Sequence, residues 1–164
     1  MSFPETLPRL TVWRIVNRKH EKTAFTGEGA RLYGGRWNSP GTPMVYAAQS
    51  QSLAILEMLV HLDSPELLKK YILFGVEIDA DLVAALDRSL LPKDWQANPV
   101  PANVQAVGDA WIASGNSLAL SVPSALVPGE SNFLVNQLHP KFPKLKIRKP
   151  VPFQFDPRLV GQRR

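Results

Sequence analysis

Arg31-Leu32-Tyr33-Gly34-Gly35-Arg36-Trp37-Asn38-Ser39-Pro40-Gly41-Thr42-Pro43 runs into Met44-Val45-Tyr46-Ala47-Ala48 and then into the segment Ser50 to His61. In chain order this reads as a glycine-rich turn, a short strand and a helix. Gly34-Gly35 and Ser39-Pro40-Gly41 permit tight or left-handed backbone, so the side chains between them, Arg36, Trp37 and Asn38, are expected to be displayed from an ordered loop. Thr42 to Ala47 predicts a short strand with Tyr46 near its end. Ser50 or Ser52 is placed to cap a helix running to about Leu62, and Asp63-Ser64-Pro65 either stops it or starts another helical turn.

Within that helix Leu53, Ala54, Ile55, Leu56, Met58, Leu59 and Val60 surround a single charged residue, Glu57. A carboxylate there is expected to be shielded from water, and an unpaired buried carboxylate costs several kcal/mol, so it needs partners. Arg14, Arg31, Arg36 and His61 are the candidates. Two readings stay open: an ion pair that holds the fold, or a functional carboxylate. Arg36 has its own pair of readings, since its planar fork either grips a phosphate or carboxylate or caps loop carbonyls.

Upstream, Leu10 to Val16 is rich in β-branched and aromatic residues and predicts the first strand. Alternation places Leu10, Val12, Arg14 and Val16 on one face and Thr11, Trp13 and Ile15 on the other. Arg14 therefore either snorkels at a sheet edge or points into a polar pocket. Residues 17 to 30 read as a long loop ending in Gly27-Glu28-Gly29. Downstream, Tyr71 to Ile78 is the strongest strand signal in the chain. Leu82 to Pro101, with Pro92, Pro99 and Pro101, predicts short turns.

Val104 to Ser114 predicts a helix ending at Gly115, and Ser117 to Val122 a strand stopped by Pro123. Ser124 then offers a hydroxyl, but no histidine stands at serine-hydrolase spacing and the nucleophile-elbow motif is missing. Ser131 to Asn136 reads as a strand or helical turn. Leu145, Ile147, Val151, Phe153 and Phe155 alternate with polar residues as in a half-buried strand, which Pro150 and Pro152 push to a sheet edge. The sum is an α+β chain, expected to be a single domain over residues 1–164.

Composition narrows the chemistry. The 164 residues are 45% hydrophobic and 20% charged, which is ordinary globular composition. There is no cysteine, so disulfides, thiol nucleophiles and thiolate metal sites are excluded. His20, His61 and His139 lack metal-ligand spacing, so no metal site is expected. Met1 to Glu5 has no signal-peptide character and no apolar run reaches membrane-spanning length, so a cytoplasmic location is expected. The net charge of +5 favours an acidic or phosphate-bearing partner, although Lys141, Lys144, Lys146, Arg148, Lys149, Arg158, Arg163 and Arg164 gather much of it at the C-terminal end.

Taken in order, Trp13-Arg14, Gly34 to Gly41, Val45-Tyr46-Ala47-Ala48, Ala54-Ile55-Leu56-Glu57 with His61, Val122-Pro123-Ser124, and Asn132 to Asn136 with His139-Pro140 resemble the RES domain, a family named for an arginine, a glutamate and a serine. One departure is Gln137, where the family pattern has proline. The resemblance implies an ADP-ribosyltransferase-like fold, with a mixed, mainly antiparallel split β-sheet and flanking helices. It also implies the toxin of a type II toxin–antitoxin pair, with an Xre-like helix-turn-helix antitoxin as partner.

The implied activity is cleavage of the nicotinamide–ribose bond of NAD by hydrolysis or phosphorolysis, or in some members transfer of ADP-ribose to a protein. NAD would be substrate, with no separate cofactor. Position by position, the family's arginines fall on Arg14 and Arg36, its tyrosine on Tyr46, its glutamate on Glu57, its serine on Ser124 and an asparagine on Asn132. Glu57, Arg36 and Ser124 would be catalytic; Arg14, Arg36, Tyr46, Ser124 and Asn132 would bind NAD. Both a monomer and a homodimer are compatible with it. A reading from another class is a basic nucleic-acid-binding or regulatory module using the C-terminal lysines and arginines, but aromatic residues are not interleaved with that basic run as stacking platforms require. Direct nucleic-acid binding is therefore not expected.

Overall fold

The computed structural model describes residues 7–67 and 69–161. Met1 to Glu5, Arg163 and Arg164 lie outside the described residues. The strands are β1 (Arg9–Asn17), β2 (Val45–Ala48), β3 (Tyr71–Asp79), β4 (Val83–Ala85), β5 (Ala119–Pro123), β6 (Ser131–Val135), β7 (Lys146–Ile147) and β8 (Val151–Phe153). The helices are α1 (Glu28–Tyr33), α2 (Gln51–Leu59), α3 (Ser64–Leu67) and α4 (Ala102–Ser114). All strands join one sheet in the order β4-β5-β6-β2-β1-β3-β7, with β8 also on β3. Every pairing is antiparallel except β4 with β5.

The sheet is split. β1 pairs with β3 along its whole length, from Arg9↔Asp79 to Asn17↔Tyr71, yet meets β2 through the single register pair Trp13↔Ala48. The fold is thus α+β with a mixed, mainly antiparallel split sheet, as expected. Alternation along the strands sorts their side chains into separate cores. Val12, Val16, Val45, Ala47, Phe74, Val76, Phe133 and Val135 fill one. Ile15, Ala48 and Leu73 pack under Leu53 and Ala54 of α2, and Leu120, Val122 and Leu134 under Val104 and Trp111 of α4.

Local signals account for several element ends. Ser50, rather than Ser52, caps α2 by accepting from the Leu53 amide, a contribution of about 1 kcal/mol. Gly115 ends α4 with φ 61°, the left-handed conformation that glycine adopts without a Cβ penalty. Phe155, 1% exposed, anchors the C-terminal segment edge-to-face on Tyr71 and Phe153.

Other readings need correction. Residues 17–30 are not a plain loop: a 3₁₀ turn spans Arg18–Thr23, capped by Asn17, and α1 begins at Glu28. The stretch after Leu82 contributes β4, three residues too short to carry a readable alternation. Of the two alternatives left open for Ser131 to Asn136, the strand holds: Ser131–Val135 is a central strand between β2 and β5. The C-terminal strand is two strands, β7 and β8, flanking Pro150 on the outer side of β3. No helix among the described residues is long and apolar enough to cross a membrane.

Candidate active site

The Gly34–Gly41 loop is built from inside. Gly34 takes φ 73°, and the Gly35 amide closes the turn on the Asn38 carbonyl at 3.0 Å. Asn38 is fully buried, with its amide donating to the carbonyls of Ala30 at 2.8 Å, Thr42 at 2.9 Å and Ser39 at 3.2 Å. Its Oδ1 accepts from the Tyr46 hydroxyl at 2.6 Å, and that same hydroxyl accepts from the Trp37 amide at 3.1 Å. Trp37 is 2% exposed, packed among Val104, Trp111 and Leu120 and tilted against Trp95. Trp37 and Asn38 are therefore not displayed. An asparagine that satisfies three carbonyls and a phenol is worth more inside the turn than on its surface.

Helix α4 closes the loop from behind. Gln105 donates to the Gly35 carbonyl at 2.9 Å, and the Asp109 carboxylate accepts from both the amide (3.0 Å) and the hydroxyl of Ser39. Gly108 sits so close that a Cβ there would lie 1.7 Å from the Trp37 carbonyl oxygen. Sequence reading missed Asn38, Gln105 and Asp109 in these roles. The signal that was present is the glycine in the middle of α4, a residue helices disfavour unless something approaches closely.

Arg36 is less enclosed by the loop than Trp37 and Asn38. It is partly buried and donates to the carbonyls of Trp95 at 2.7 Å and Ala97 at 3.1 Å, so it caps loop carbonyls. Burial lowers its basicity, and the negative charge of Glu57 acts in the opposite direction. Burial also holds the Tyr46 hydroxyl protonated well above the ordinary tyrosine range, partly opposed by the Trp37 amide.

Glu57 is partly buried on α2. Of the two readings left open, an ion pair to arginine is not what holds it. Its Oε1 accepts from Asn132 Nδ2 at 2.7 Å and from Ser124 Oγ at 3.3 Å. Ser124, 2% exposed, follows β5, and its Oγ also accepts from the amides of Leu126 and Val127, each at 3.1 Å. Asn132 lies on β6 directly between Val122 of β5 and Ala48 of β2. Neutral donors orient the carboxylate, which leaves its charge uncompensated by any direct ion pair among the described residues.

Arg14 stands apart from that cluster. It leaves β1 on the face that carries Val12 and Val16 and donates to the carbonyls of Ala24 and Tyr46, each at 2.8 Å. β1 is interior to the sheet, so edge snorkelling is excluded; the guanidinium bridges the split between β1 and β2. Burial without a carboxylate partner lowers its pKa to about 10, which still leaves it charged at neutral pH. The structure thus joins Glu57, Ser124 and Asn132 directly, sets Arg36 within the electrostatic reach of Glu57 and Tyr46 within that of Arg36, and links Arg14 through the Tyr46 backbone.

His61 is exposed and His139 forms a turn, its Nδ1 accepting from the Lys141 amide at 3.0 Å. Arg31 pairs with Glu28 rather than Glu57. Among the described residues no cluster of histidines and carboxylates is arranged to hold a metal ion.

The family model described as RES domain matches residues 11–156. A protein named Toxin Res from Yersinia enterocolitica is 42% identical over 151 residues, covering 92% of this chain and 99% of that protein. A protein named Prs ADP-ribosylating toxin from a Sphingobium species is 37% identical over 153 residues, covering 90% and 95%. Among solved structures, a chain of the M. tuberculosis MbcT-MbcA toxin-antitoxin complex is similar with a TM-score of 0.76 and 26% identity, over 94% of this chain and 88% of that one.

Proposed function

The chain belongs to the RES domain family, and from that premise we propose that it is the toxin of a toxin–antitoxin pair and that it consumes NAD by breaking the nicotinamide–ribose bond. The observation that carries the reading is the Glu57 carboxylate, oriented by Asn132 and Ser124 and faced by the charge of Arg36 without being neutralised in a salt bridge. Cleavage of a glycosidic bond passes through an oxocarbenium-like state. A fixed, uncompensated carboxylate stabilises that positive charge and accepts a hydrogen bond from the sugar 2-hydroxyl. The C–N bond pair returns to the pyridinium nitrogen, so nicotinamide leaves neutral and needs no strong general acid.

The other residues take supporting parts. Arg36 would hold the pyrophosphate by exchanging the carbonyls of Trp95 and Ala97 for phosphate oxygens, and Arg14, which stands apart from the cluster, would join it by giving up the carbonyls of Ala24 and Tyr46. Tyr46 frames the nicotinamide or its ribose with its ring, its hydroxyl being engaged by Asn38. Ser124 and Asn132 orient Glu57 and the ribose. Water or phosphate completes the reaction. Transfer of ADP-ribose to a protein is the second reading, favoured by the name of the Sphingobium relative. The partner is an Xre-like antitoxin; the toxin–antitoxin complex among similar structures supports an antitoxin partner, and its Xre-like type rests on the family resemblance alone.

The test is to incubate the purified protein with NAD, with and without phosphate, and identify the products. Free ADP-ribose means hydrolysis, a phosphorylated ADP-ribose means phosphorolysis, and labelled protein means transfer. Full NAD turnover by a folded Glu57→Ala variant would overturn the assignment.

A further inference from the structure

Four cations gather at the far end of the β1–β3 pair, on the side of β1 away from β2 and β6. Asn17 of β1 and Tyr71 of β3 are the last register pair, and the Arg18 amide extends the contact by donating to the Lys70 carbonyl at 3.0 Å. This sets the dipeptide Arg18-Lys19 beside Lys69-Lys70. The Asn17 side chain accepts from the Lys19 amide at 3.1 Å and fixes the start of the 3₁₀ turn, so the first pair is held in place. Together with Asn17 these four line a surface depression of ≈ 570 Å³.

Charge there is poorly balanced. Lys69 pairs with Glu66 at 2.7 Å, whereas Arg18, Lys19 and Lys70 have no carboxylate within salt-bridge distance among the described residues. Like charges on adjacent strand ends repel, so the arrangement costs stability unless an anion occupies it. A second depression of ≈ 530 Å³ shares Arg18, Lys69 and Lys70, takes in one acidic residue, Glu21, and continues over Ile72, Pro150, Pro152 and Phe153. The groove is therefore basic at one end and apolar at the other.

We propose that this groove docks an acidic segment of a protein partner that also carries apolar side chains. Its carboxylates would meet Arg18, Lys19, Lys69 and Lys70, and its apolar residues would cover Pro150, Pro152 and Phe153. β-strand addition is not the mode: Pro150 and Pro152 have no amide hydrogen, so the outer edge at β8 is a poor ladder. Nucleic acid is disfavoured because stacking needs a free aromatic face beside the cations, and Phe153 lies edge-to-face with Phe155 at 5.0 Å. None of these residues belongs to the Glu57 cluster, so the inference stands independently of the NAD reading.

The experiment measures anisotropy of a fluorescein-labelled peptide of alternating glutamate and leucine against the full chain. The same peptide with glutamine for glutamate and an oligothymidine of equal length serve as comparisons. The acidic peptide is expected to bind, more weakly as salt rises, and the glutamine peptide to bind little. Lys69→Glu with Lys70→Glu, and separately Arg18→Glu with Lys19→Glu, should each weaken binding roughly tenfold while leaving NAD consumption unchanged. Should charge reversal prevent folding, the matching glutamine substitutions read the same effect. Equal binding by the variants, absence of binding by the parent chain, or tighter binding of oligothymidine than of the acidic peptide overturns the proposal.

Discussion

Asn132 donates to Glu57 Oε1 at 2.7 Å from a strand paired on both sides, so a helix carboxylate is aimed by the most constrained part of the sheet. Removing the charge and removing the aim should therefore have different signatures. Glu57→Gln is expected to lower the rate of NAD cleavage by about 10²–10³-fold, the scale of a lost electrostatic stabiliser. Asn132→Ala keeps the charge but frees its orientation, for a loss of up to about 10²-fold. Far-UV circular dichroism should show both variants folded; product formation under saturating NAD measures the rates.

Ser124 serves the fold as well as the carboxylate. Its oxygen accepts from the Leu126 and Val127 amides, so Ser124→Ala leaves two amides without that acceptor and is expected to cost about 1–3 kcal/mol in urea unfolding. Activity should fall more than stability explains, because the contact to Glu57 goes as well. A variant as stable as the parent would refute the structural half of this account.

Two glycines give a paired test of the loop's support. Gly108→Ala would drive a Cβ to 1.7 Å from the Trp37 carbonyl oxygen, so helix and loop must separate. A loss of about 1–3 kcal/mol or more is expected, with reduced NAD cleavage as Arg36 shifts. Gly29→Ala, inside α1 with open space around its Cβ, should instead be neutral or stabilising by up to about 1 kcal/mol. Thermal melts of the two variants side by side decide it.

Tyr46 predicts an alkaline effect with a definite sign. Its folded pKa is raised by burial above the ordinary 10.0, so above that pH the folded chain keeps a proton that the unfolded chain releases. Stability from this group is full below pH 10 and falls as pH rises beyond it. Tyr46→Phe removes the dependence. The variant loses the hydrogen bonds to Asn38 and Trp37 and should be less stable at neutral pH, but the gap to the parent should narrow above pH 10. Arg14, with its lowered pKa, acts in the opposite sense in both proteins and cancels from the difference.

What the sequence by itself determined is local in origin. The strand from Tyr71, the helix ending at Gly115, the Ser50 cap and the α+β class follow from alternation, capping and backbone permissiveness, all readable within a few residues. The ordered set of Arg14, Arg36, Tyr46, Glu57, Ser124 and Asn132 was legible through its resemblance to a family. What the tertiary structure decided is who holds whom. Glu57 meets Ser124 and Asn132 across separations of 67 and 75 residues, and Asp109 meets Ser39 across 70. Three-residue β4 owes its place to parallel pairing with β5, and Trp37 and Asn38 are buried because α4 closes over them at Gly108. No local pattern encodes such contacts, because each side chain's partner is set by strand order and by which helix covers which half of the split sheet.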